Sequence, residues 1–378
     1  MVFILFFSMA LKNHILYGSM EEKVRNLGGY MVSRILSGMR TTGELHLGHY
    51  HGVLKNWLEL QQQYDCFFFA ADWHALTTDY EDPYNIPQYT FDMIVDWLAV
   101  GIDPKRANIF IQSRVPLHAE LHVLLSMITP LGWLERVPTY KDQQQQLKDK
   151  DLSTYGFLGY PVLQAADILM YKASKVPVGA DQVPHVELVR EIARRFNYLY
   201  GRADRTQKRS PEEYIHIILP EPEVMLTKCP IFPGLDGRKM SKTYHNTIGL
   251  REDPKSVEQK LLTMPTDPAR VKRTDPGDPE KCPVWPLHKV YSDDSVKEWV
   301  QKGCRSAGIG CIECKRVLID KVLEEQAPIC ERALEFEQNP AFVHSIIEKG
   351  CEAAQSVAKQ TMAEVREAMG ILQTGHVK

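Results

Sequence analysis

The chain has 378 residues, of which 44% are hydrophobic and 25% are charged, and its formal net charge at pH 7 is -3. These totals are typical of an ordinary globular protein with room for one large domain and a smaller one. They exclude a protein that binds nucleic acid through a strongly basic overall charge, so any such binding depends on local patches.

The chain begins with a short apolar run at residues 1–10. No basic residue precedes this run, no clear small-x-small cleavage site follows it, and it is too short to span a bilayer. We therefore predict that residues 1–30 are a non-structural extension, with Met20 and Met31 as alternative starts. The absence of a secretory signal indicates a cytoplasmic protein without a membrane segment.

Strand and helix patterns alternate after this extension. Apolar runs of strand length at residues 32–38, 66–71 and 108–112 alternate with helical patterns at residues 45–63, 89–100 and 118–128. Such alternation predicts the α/β class, with a Rossmann-type parallel sheet covered by helices on both faces.

The second half of the chain changes character. Residues 140–151 are polar and predict a loop or a solvated helix, whereas residues 183–198 predict an amphipathic helix. Proline and glycine accumulate around residues 220–237, and helical patterns dominate from residue 256 onward. We predict a catalytic domain at 31–225, a loop at 226–250 and a C-terminal helical domain at 251–378.

Two histidines lie where the first predicted strand turns into a helix. The turn contains Gly43, and the helix opens at residues 46–49, which read HLGH. The N-terminus of a helix suits phosphate because it presents unpaired N–H groups and a partial positive charge. His46 and His49 share one helix face and can donate hydrogen bonds to charge that develops at phosphorus. Taken alone, the pair also fits a metal-binding or surface helix.

A basic loop lies far downstream at residues 237–243, which read GRKMSKT. Its lysines Lys239 and Lys242 can hold a triphosphate and follow its charge as it leaves. Alone, such a run usually marks a solvated face. In this order and context, HLGH and KMSKT resemble the HIGH and KMSKS signatures of class I aminoacyl-tRNA synthetases. The resemblance implies that His46, His49, Lys239 and Lys242 are the catalytic residues.

A single acid, Asp167, lies in the otherwise apolar residues 159–169. Burying an unpaired carboxylate is costly, so Asp167 needs a donor nearby. That donor is either internal, such as an arginine or a backbone N–H, or a ligand group such as an indole N–H, which can only donate. In the next segment, VPVGADQ at residues 176–182, Gly179 permits close backbone approach and Asp181 suits ribose hydroxyls.

These two segments resemble the tryptophanyl-tRNA synthetases, in which an aspartate in AADIL accepts the indole N–H and a GxDQ element holds the ribose of ATP. The resemblance covers residues 33 to 370. It implies a tryptophan pocket made of Leu36, His74, Tyr160, Gln164, Asp167, Ile168, Val176 and Val178. It implies ATP contacts at Arg40, Thr41, Thr42, Gly48, His49, Gly179, Ala180, Asp181, Gln182, Lys239, Met240, Ser241, Lys242 and Thr243.

Three positions depart from the family pattern. Thr41 replaces a proline in the first turn, Gln164 replaces a residue that is often methionine, and Thr243 replaces the last serine of KMSKS. Thr243 keeps the hydroxyl group. The other two departures concern the first turn and the lining of the pocket.

Four of the eight cysteines crowd into the pattern C-x21-C-x6-C-x2-C, at Cys282, Cys304, Cys311 and Cys314. Four thiolates with one tight pair suit either tetrahedral zinc or an iron–sulfur cluster, and spacing does not separate the two. A subset of tryptophanyl-tRNA synthetases has a similar pattern, one residue longer, that holds a [4Fe-4S] cluster near the anticodon. The resemblance therefore implies a [4Fe-4S] cluster, with zinc as the alternative, in a structural or anticodon-recognition role.

The sequence thus predicts a homodimeric ligase that activates L-tryptophan with ATP and Mg²⁺ and transfers it to tRNA(Trp). Tyrosyl-tRNA synthetase is the nearest alternative, because it carries the same two signatures. A nucleotidyltransferase of the same superfold and a non-catalytic RNA-binding relative are more distant ones. The helical domain with its cysteines argues against the former, and the intact histidines and lysines argue against the latter.

Overall fold

The computed structural model describes residues 33–137, 152–201, 216–226 and 232–371. The predicted N-terminal extension and the whole of the predicted polar segment at 140–151 lie outside these ranges. The described part contains five strands, β1 Arg34–Arg40, β2 Asp65–Ala71, β3 Ala107–Ile111, β4 Lys175–Val178 and β5 Glu223–Leu226.

All five strands pair in parallel, in the order β3-β2-β1-β4-β5. Strand β2 is almost wholly apolar and buried, because helices cover both faces of the sheet. The chain runs outward from β1 to β3 and then returns to place β4 on the other side of β1. The predicted Rossmann-type parallel sheet is therefore confirmed, and the order of its strands reverses between β1 and β4.

Helices connect these strands. They are α1 Leu47–His49, α2 Lys55–Leu60, α3 Asp72–Asp79, α4 Ile86–Val100, α5 Leu117–Ser126, α6 Leu131–Leu134, α7 Tyr155–Met170 and α8 Val183–Tyr200. The predicted helix at 45–63 is broken into α1 and α2 by one π-helical stretch, Tyr50–Leu54. Such π-bulges are frequent next to functional sites.

The C-terminal region is helical, as predicted. Its helices are α9 Pro254–Thr263, α10 Trp285–Tyr291, α11 Asp294–Arg305, α12 Cys311–Glu337 and α13 Pro340–Met369. The side chain of Asp253 caps α9, and that of Asn339 caps α13, where Pro340 pre-sets the first turn. Within the described ranges, none of the helices has the length and apolar character needed to cross a membrane.

Helix α13 covers the open edge of the sheet at β3. An exposed edge strand presents unpaired backbone groups, so a covering helix protects it from pairing with other chains. The approach is close at Gly350, where a Cβ atom would lie 1.8 Å from the carbonyl oxygen of Ile109. Only glycine fits at this position, since the obstacle is backbone and cannot rotate away.

We expect Gly350→Ala to destabilise the protein, because the added methyl group forces α13 away from β3. Overpacking of this kind costs about 1–3 kcal/mol. Urea unfolding followed by circular dichroism measures the loss. The matched control is Gly52→Ala, where a Cβ atom would meet nothing within 4 Å. Equal unfolding midpoints for Gly350→Ala and the control would contradict the close approach.

Candidate functional site

The turn after β1 and the turn after β4 lie side by side at the carboxyl edge of the sheet. Ligands of open parallel sheets bind in the crevice at this place, where the strand order reverses. The first turn contains Arg40, Thr41 and Thr42, and the second is the short 3-10 helix Ala180–Gln182. The fold therefore brings both predicted nucleotide-contacting turns to one crevice.

His46 and His49 of the HLGH sequence, the first signature, face each other at the start of α1. Their rings stack with centroids 3.7 Å apart. The Nδ1 atom of His49 accepts a hydrogen bond from the backbone N–H of His46 at 3.2 Å. In the neutral ring this leaves the hydrogen on Nε2, which is then a donor.

Both imidazoles of the first signature are held neutral. Burial, followed by the charge of Lys242, lowers the pKa of His46 to about 4. The pKa of His49 is also lowered well below its ordinary value, first by burial and then by His46, Lys242 and Lys239. The Nδ1 atom of His46 is buried and has no partner among the described residues. The site therefore offers neutral donors beside a lysine charge.

Hydrogen bonds with nearby residues of the chain hold the loop of the second signature, residues 239–243 (KMSKT). Met240 N donates to Phe232 O at 2.9 Å and closes a hairpin. The buried amide of Asn246 accepts from Ser241 N at 2.8 Å and donates to Lys239 O at 3.1 Å. The sequence analysis did not predict the role of Asn246, because no local pattern indicates that a residue after the loop makes hydrogen bonds to it.

The two signatures touch each other. Lys242 Nζ donates to Thr42 O at 3.0 Å, across the mouth of the first turn. A Cβ atom on Gly48 would lie 3.3 Å from the Cβ atom of Met240, so the missing side chain lets the loop pack on the helix. Burial lowers the pKa of Lys242, although the charges of Glu44 and Asp96 oppose this.

A short backbone pairing fixes this contact. Residues 45–47 pair antiparallel with residues 248–250, and His46 and Gly249 are the bridging residues. Two backbone hydrogen bonds of 3.0 and 2.8 Å flank the bridge. The first residues of the first signature are therefore joined directly to residues that follow the second.

Asp167 on α7 is buried, with 1% of its surface exposed, and it has internal donors. They are His74 Nε2 at 2.8 Å, His118 Nδ1 at 2.6 Å and Gln112 Nε2, which is shared between both oxygens at 2.8 and 2.9 Å. Burial opposes ionisation, but the hydrogen bonds and charges of His118 and His74 outweigh it, so the pKa of Asp167 is lowered. The carboxylate is therefore charged.

His118 is itself oriented by Tyr171. Its Nε2 atom lies 2.7 Å from the hydroxyl of Tyr171, whose pKa burial raises well above the ordinary value. The protonated hydroxyl donates to Nε2, and Nδ1–H then points at Asp167. Gln112, His118 and Tyr171 were all missed from the sequence. The apolar strand before Gln112 indicated only a buried strand, and its contact with α7 is tertiary.

The other predicted pocket residues lie on β1, β4, α3 and α7, the helix that carries Asp167. Leu36 lies buried on β1 and Val176 lies buried on the adjacent β4. Helix α3, which carries His74, packs against α7. The remaining predicted pocket residues are half-buried or buried, and they are Tyr160, Gln164, Ile168 and Val178.

The first turn and the turn after β4 have distinct environments. Arg40 donates to the hydroxyl of Thr78, and the buried hydroxyl of Thr41 has no partner among the described residues. Asp181 is exposed beside Gln182, whose amide donates to it at 3.3 Å. A Cβ atom on Gly179 would lie 2.7 Å from the Asp181 carboxylate, so the glycine leaves this carboxylate its place.

The four predicted cysteine ligands converge in space. One cavity of about 30 Å³ lies between α10, α11 and α12. Its lining includes the four cysteines, Cys282, Cys304, Cys311 and Cys314, and also His288, Arg270 and Lys315. Burial, reinforced by the other three cysteines, raises the pKa of Cys314 to about 12. Four thiolates are therefore stable there only beside a compensating positive charge.

The four sulfurs line the same cavity but are not grouped closely enough to count as a metal site in the part of the chain that the structure describes. Over residues 33–137, 152–201, 216–226 and 232–371, no group of three or more His, Cys, Asp or Glu side chains could hold a metal ion. The cavity has donors for thiolate sulfur, with Arg270 Nη1 at 3.8 Å from Cys304 and His288 Nε2 at 3.2 Å from Cys314. A Cβ atom on Gly277 would lie 2.7 Å from Cys304 Sγ, so the glycine makes room. The lining therefore combines four sulfurs with basic and hydrogen-bonding side chains.

Comparison with known proteins agrees with this geometry. The family described as tRNA synthetases class I (W and Y) matches residues 31–324. Tryptophan–tRNA ligase of Ralstonia nicotianae is 58% identical over 89% of this chain and 98% of that protein, and the Thermotoga maritima ligase is 51% identical over 90% and 99%. The crystal structure of Campylobacter jejuni tryptophanyl-tRNA synthetase complexed with ADP and tryptophan has a TM-score of 0.78 and 31% identity, covering 89% of this chain and 99% of that one. The chain therefore belongs to the class I tRNA synthetases of the tryptophanyl and tyrosyl family.

Proposed function

We propose that this chain is a tryptophan–tRNA ligase, which joins L-tryptophan to ATP as an adenylate and then to tRNA(Trp). The observation that carries this proposal is the contact between the two signatures at the crevice of the sheet, beside the buried Asp167. The identity to curated ligases of that name over nearly nine-tenths of the chain supports it.

In the first step the tryptophan carboxylate attacks the α-phosphate of ATP, and pyrophosphate leaves. The proposed role of His46 and His49 is to donate hydrogen bonds to the oxygens of this phosphate in the transition state. The neutral His49 ring has its hydrogen on Nε2, so a donor is available without a change of protonation. Its position at the start of α1 adds the N–H groups of that helix.

Lys239 and Lys242 are proposed to hold the β- and γ-phosphates. Lys242 already reaches across to Thr42 O, so phosphate oxygens would replace a backbone carbonyl as the acceptor. Mg²⁺ would accompany ATP and offset the charge of its phosphates, which needs no dedicated protein carboxylate. The contacts with adenosine are proposed to come from residues 40–42 and 179–182, and Asp181 is the acceptor for the ribose.

Asp167 is the proposed acceptor for the indole N–H. An ionised carboxylate has about four acceptor positions, and three side-chain donors occupy it here. Gln112 contacts both oxygens, so the three donors make four contacts in all, and the indole N–H would take the place of one of them. His118, Gln112 and His74 then act as positioning residues, because they hold the carboxylate charged and oriented before tryptophan arrives.

The helical residues 251–378 are proposed to contact the anticodon region of the tRNA, and residues 31–225 with the loop at 226–250 to form the catalytic part. For the cysteine cavity we favour a [4Fe-4S] cluster over zinc. The support is that the four sulfurs line one cavity and that the sequence pattern resembles a cluster-bearing subset. The seven described cysteines are free thiols, as in a cytoplasmic protein.

We propose that the chain forms a homodimer through an exposed apolar patch. Val123 and Met127 lie one turn apart and are 49% and 70% exposed, and Leu131 at the start of α6 is 63% exposed. Tyr155, 67% exposed, extends the patch through its contact with His122. Contiguous exposed apolar surface of this kind marks interaction sites.

The activity is tested by ATP–pyrophosphate exchange with each amino acid. We expect exchange with tryptophan and not with tyrosine, followed by charging of tRNA(Trp). Exchange with tyrosine alone would identify the tyrosyl enzyme, and exchange without charging of any tRNA would indicate a nucleotidyltransferase.

The role of Asp167 is tested in the same assay with 1-methyltryptophan, which lacks the indole N–H. A hydrogen bond to a charged group contributes about 1.5–3 kcal/mol, so kcat/KM should fall about 10- to 100-fold with this analogue. Asp167→Asn should lower kcat/KM for tryptophan and reduce the difference between the two substrates. If the ratio of the two kcat/KM values is the same in Asp167→Asn as in the unmodified enzyme, Asp167 does not bind the indole N–H.

The cysteine cavity is tested on protein purified without oxygen. We expect broad visible absorption with iron and sulfide in equal amounts, and loss of both in Cys311→Ser. Cys330→Ser is the matched control, since Cys330 lies on the same helix outside the cavity. A colourless protein that contains zinc refutes the cluster.

The oligomeric state is tested by light scattering. We expect twice the mass of one chain, and a shift to monomer in Met127→Glu because a charge is costly in an apolar interface. Leu334→Glu is the control, since Leu334 is 55% exposed on α12, away from the patch. A dimer that survives Met127→Glu unchanged places the interface elsewhere.

A further inference from the structure

Two consecutive residues of α12, Glu325 and Gln326, reach from the helical region to the two signatures. Neither belongs to a signature, and neither contributes to the crevice where the substrates are proposed to bind. Helix α12 has 27 residues and packs along α4 and α9, so it is a rigid support for both side chains.

Gln326 holds the strand that follows the second signature. Its Nε2 atom donates to Gly249 O at 2.7 Å and to Leu250 O at 3.2 Å. The side chain is buried, with 2% exposed, so no water replaces these bonds if the amide is removed. Gly249 is the residue that bridges to His46.

Glu325 holds the helix that follows the first signature. Its carboxylate accepts from Lys55 Nζ at 2.7 Å, from His51 Nε2 at 2.9 Å and from the hydroxyl of Tyr291 at 2.8 Å. Burial opposes ionisation, but the bonds from His51 and Lys55 outweigh it and lower the pKa of Glu325 to about 2. The carboxylate is therefore charged at neutral pH.

The contacts made by Glu325 and those made by Gln326 are also linked to each other. The ring of His51 stacks on Phe232 with centroids 4.5 Å apart. Phe232 O in turn accepts from Met240 N at the base of the second signature. Glu325 thus contacts the residues that follow the first signature and reaches the second signature through His51, whereas Gln326 contacts the segment that pairs with the first signature.

We propose that Glu325 and Gln326 are positioning residues for adenylate formation, which set the separation between the histidines of the first signature and the lysines of the second. The proposal rests on the proposed function. In-line transfer at phosphorus depends on placement, and a displacement of about 1 Å can cost about 10²-fold in rate. The pair lies far along the chain from both signatures, and its contacts are with backbone carbonyls and with residues that follow the histidines.

The test is Gln326→Leu, which keeps the volume and removes the donor. We expect kcat for ATP–pyrophosphate exchange to fall about 10- to 100-fold per competent site, with an unchanged KM for tryptophan. Competent sites are counted by the pyrophosphate burst, so partial unfolding does not mimic the effect. Glu325→Gln, which keeps the shape and removes the charge, should lower kcat in the same sense.

The matched control is Arg332→Met. Arg332 also donates from α12 to a backbone carbonyl, that of Ala99 at 2.5 Å, but this bond joins α12 to the end of α4 and touches neither signature. We expect the control to retain kcat per competent site. Hydrogen exchange adds a second readout, since the amides of Leu47 and Leu250 should exchange faster in Gln326→Leu than in the control.

Equal kcat per competent site in Gln326→Leu and Arg332→Met would overturn the proposal, as would an effect confined to the KM for tryptophan. Failure of the proposed function is a separate result, because it appears as a lack of tryptophan-dependent exchange in the unmodified enzyme.

Discussion

A short antiparallel pairing joins residues 45–47 to residues 248–250, and the catalytic arrangement depends on it. The pairing is small, with one backbone hydrogen bond on each side of the His46–Gly249 bridge. It nevertheless fixes where the histidines of α1 stand relative to the lysines of the loop. Groups that act on one phosphate chain need this placement, because transition-state stabilisation by fixed donors is lost steeply with distance.

The sheet and the helical region meet at this pairing from opposite sides. On the side of the sheet, the first signature follows β1 and so lies at the point where the strand order reverses, beside the turn after β4. From the helical region, α12 supports the paired strand with an amide and the following helix with a carboxylate. The N-terminal end of α12 carries two of the four cysteines that line the cavity. One helix therefore connects the cysteine cavity to the backbone behind the signatures.

Charge is arranged in opposite ways in the two halves of the crevice. At the signatures, burial and lysine charges keep two imidazoles neutral, so the positive charge lies on the lysines. At Asp167, donors from three elements keep a buried carboxylate charged. The signatures therefore carry positive charge and Asp167 offers a buried anionic acceptor, and this combination suits a ligand with an anionic end and an aromatic N–H.

The sequence by itself determined the class of fold, the two signatures and the acid at position 167. These are local features. The strands of a buried parallel sheet are recognised in the sequence as continuous apolar runs, and the turn with HLGH indicates the N-terminus of a helix. The crowding of four cysteines was also visible, because three of them fall within eleven consecutive residues at 304–314. What each feature contacts was not visible.

Only the tertiary structure decided the partners. The donors to Asp167 come from α3, the turn after β3 and α5, and the supports of the signatures come from α12, which begins long after both. Gly350 faces a carbonyl of β3 from a helix near the end of the chain. Each of these contacts joins residues that are distant in sequence, and local periodicity carries no information about which faces meet. The sequence therefore determined which chemical groups this protein has, and the packing of α12 and α13 on the sheet decided how they are held.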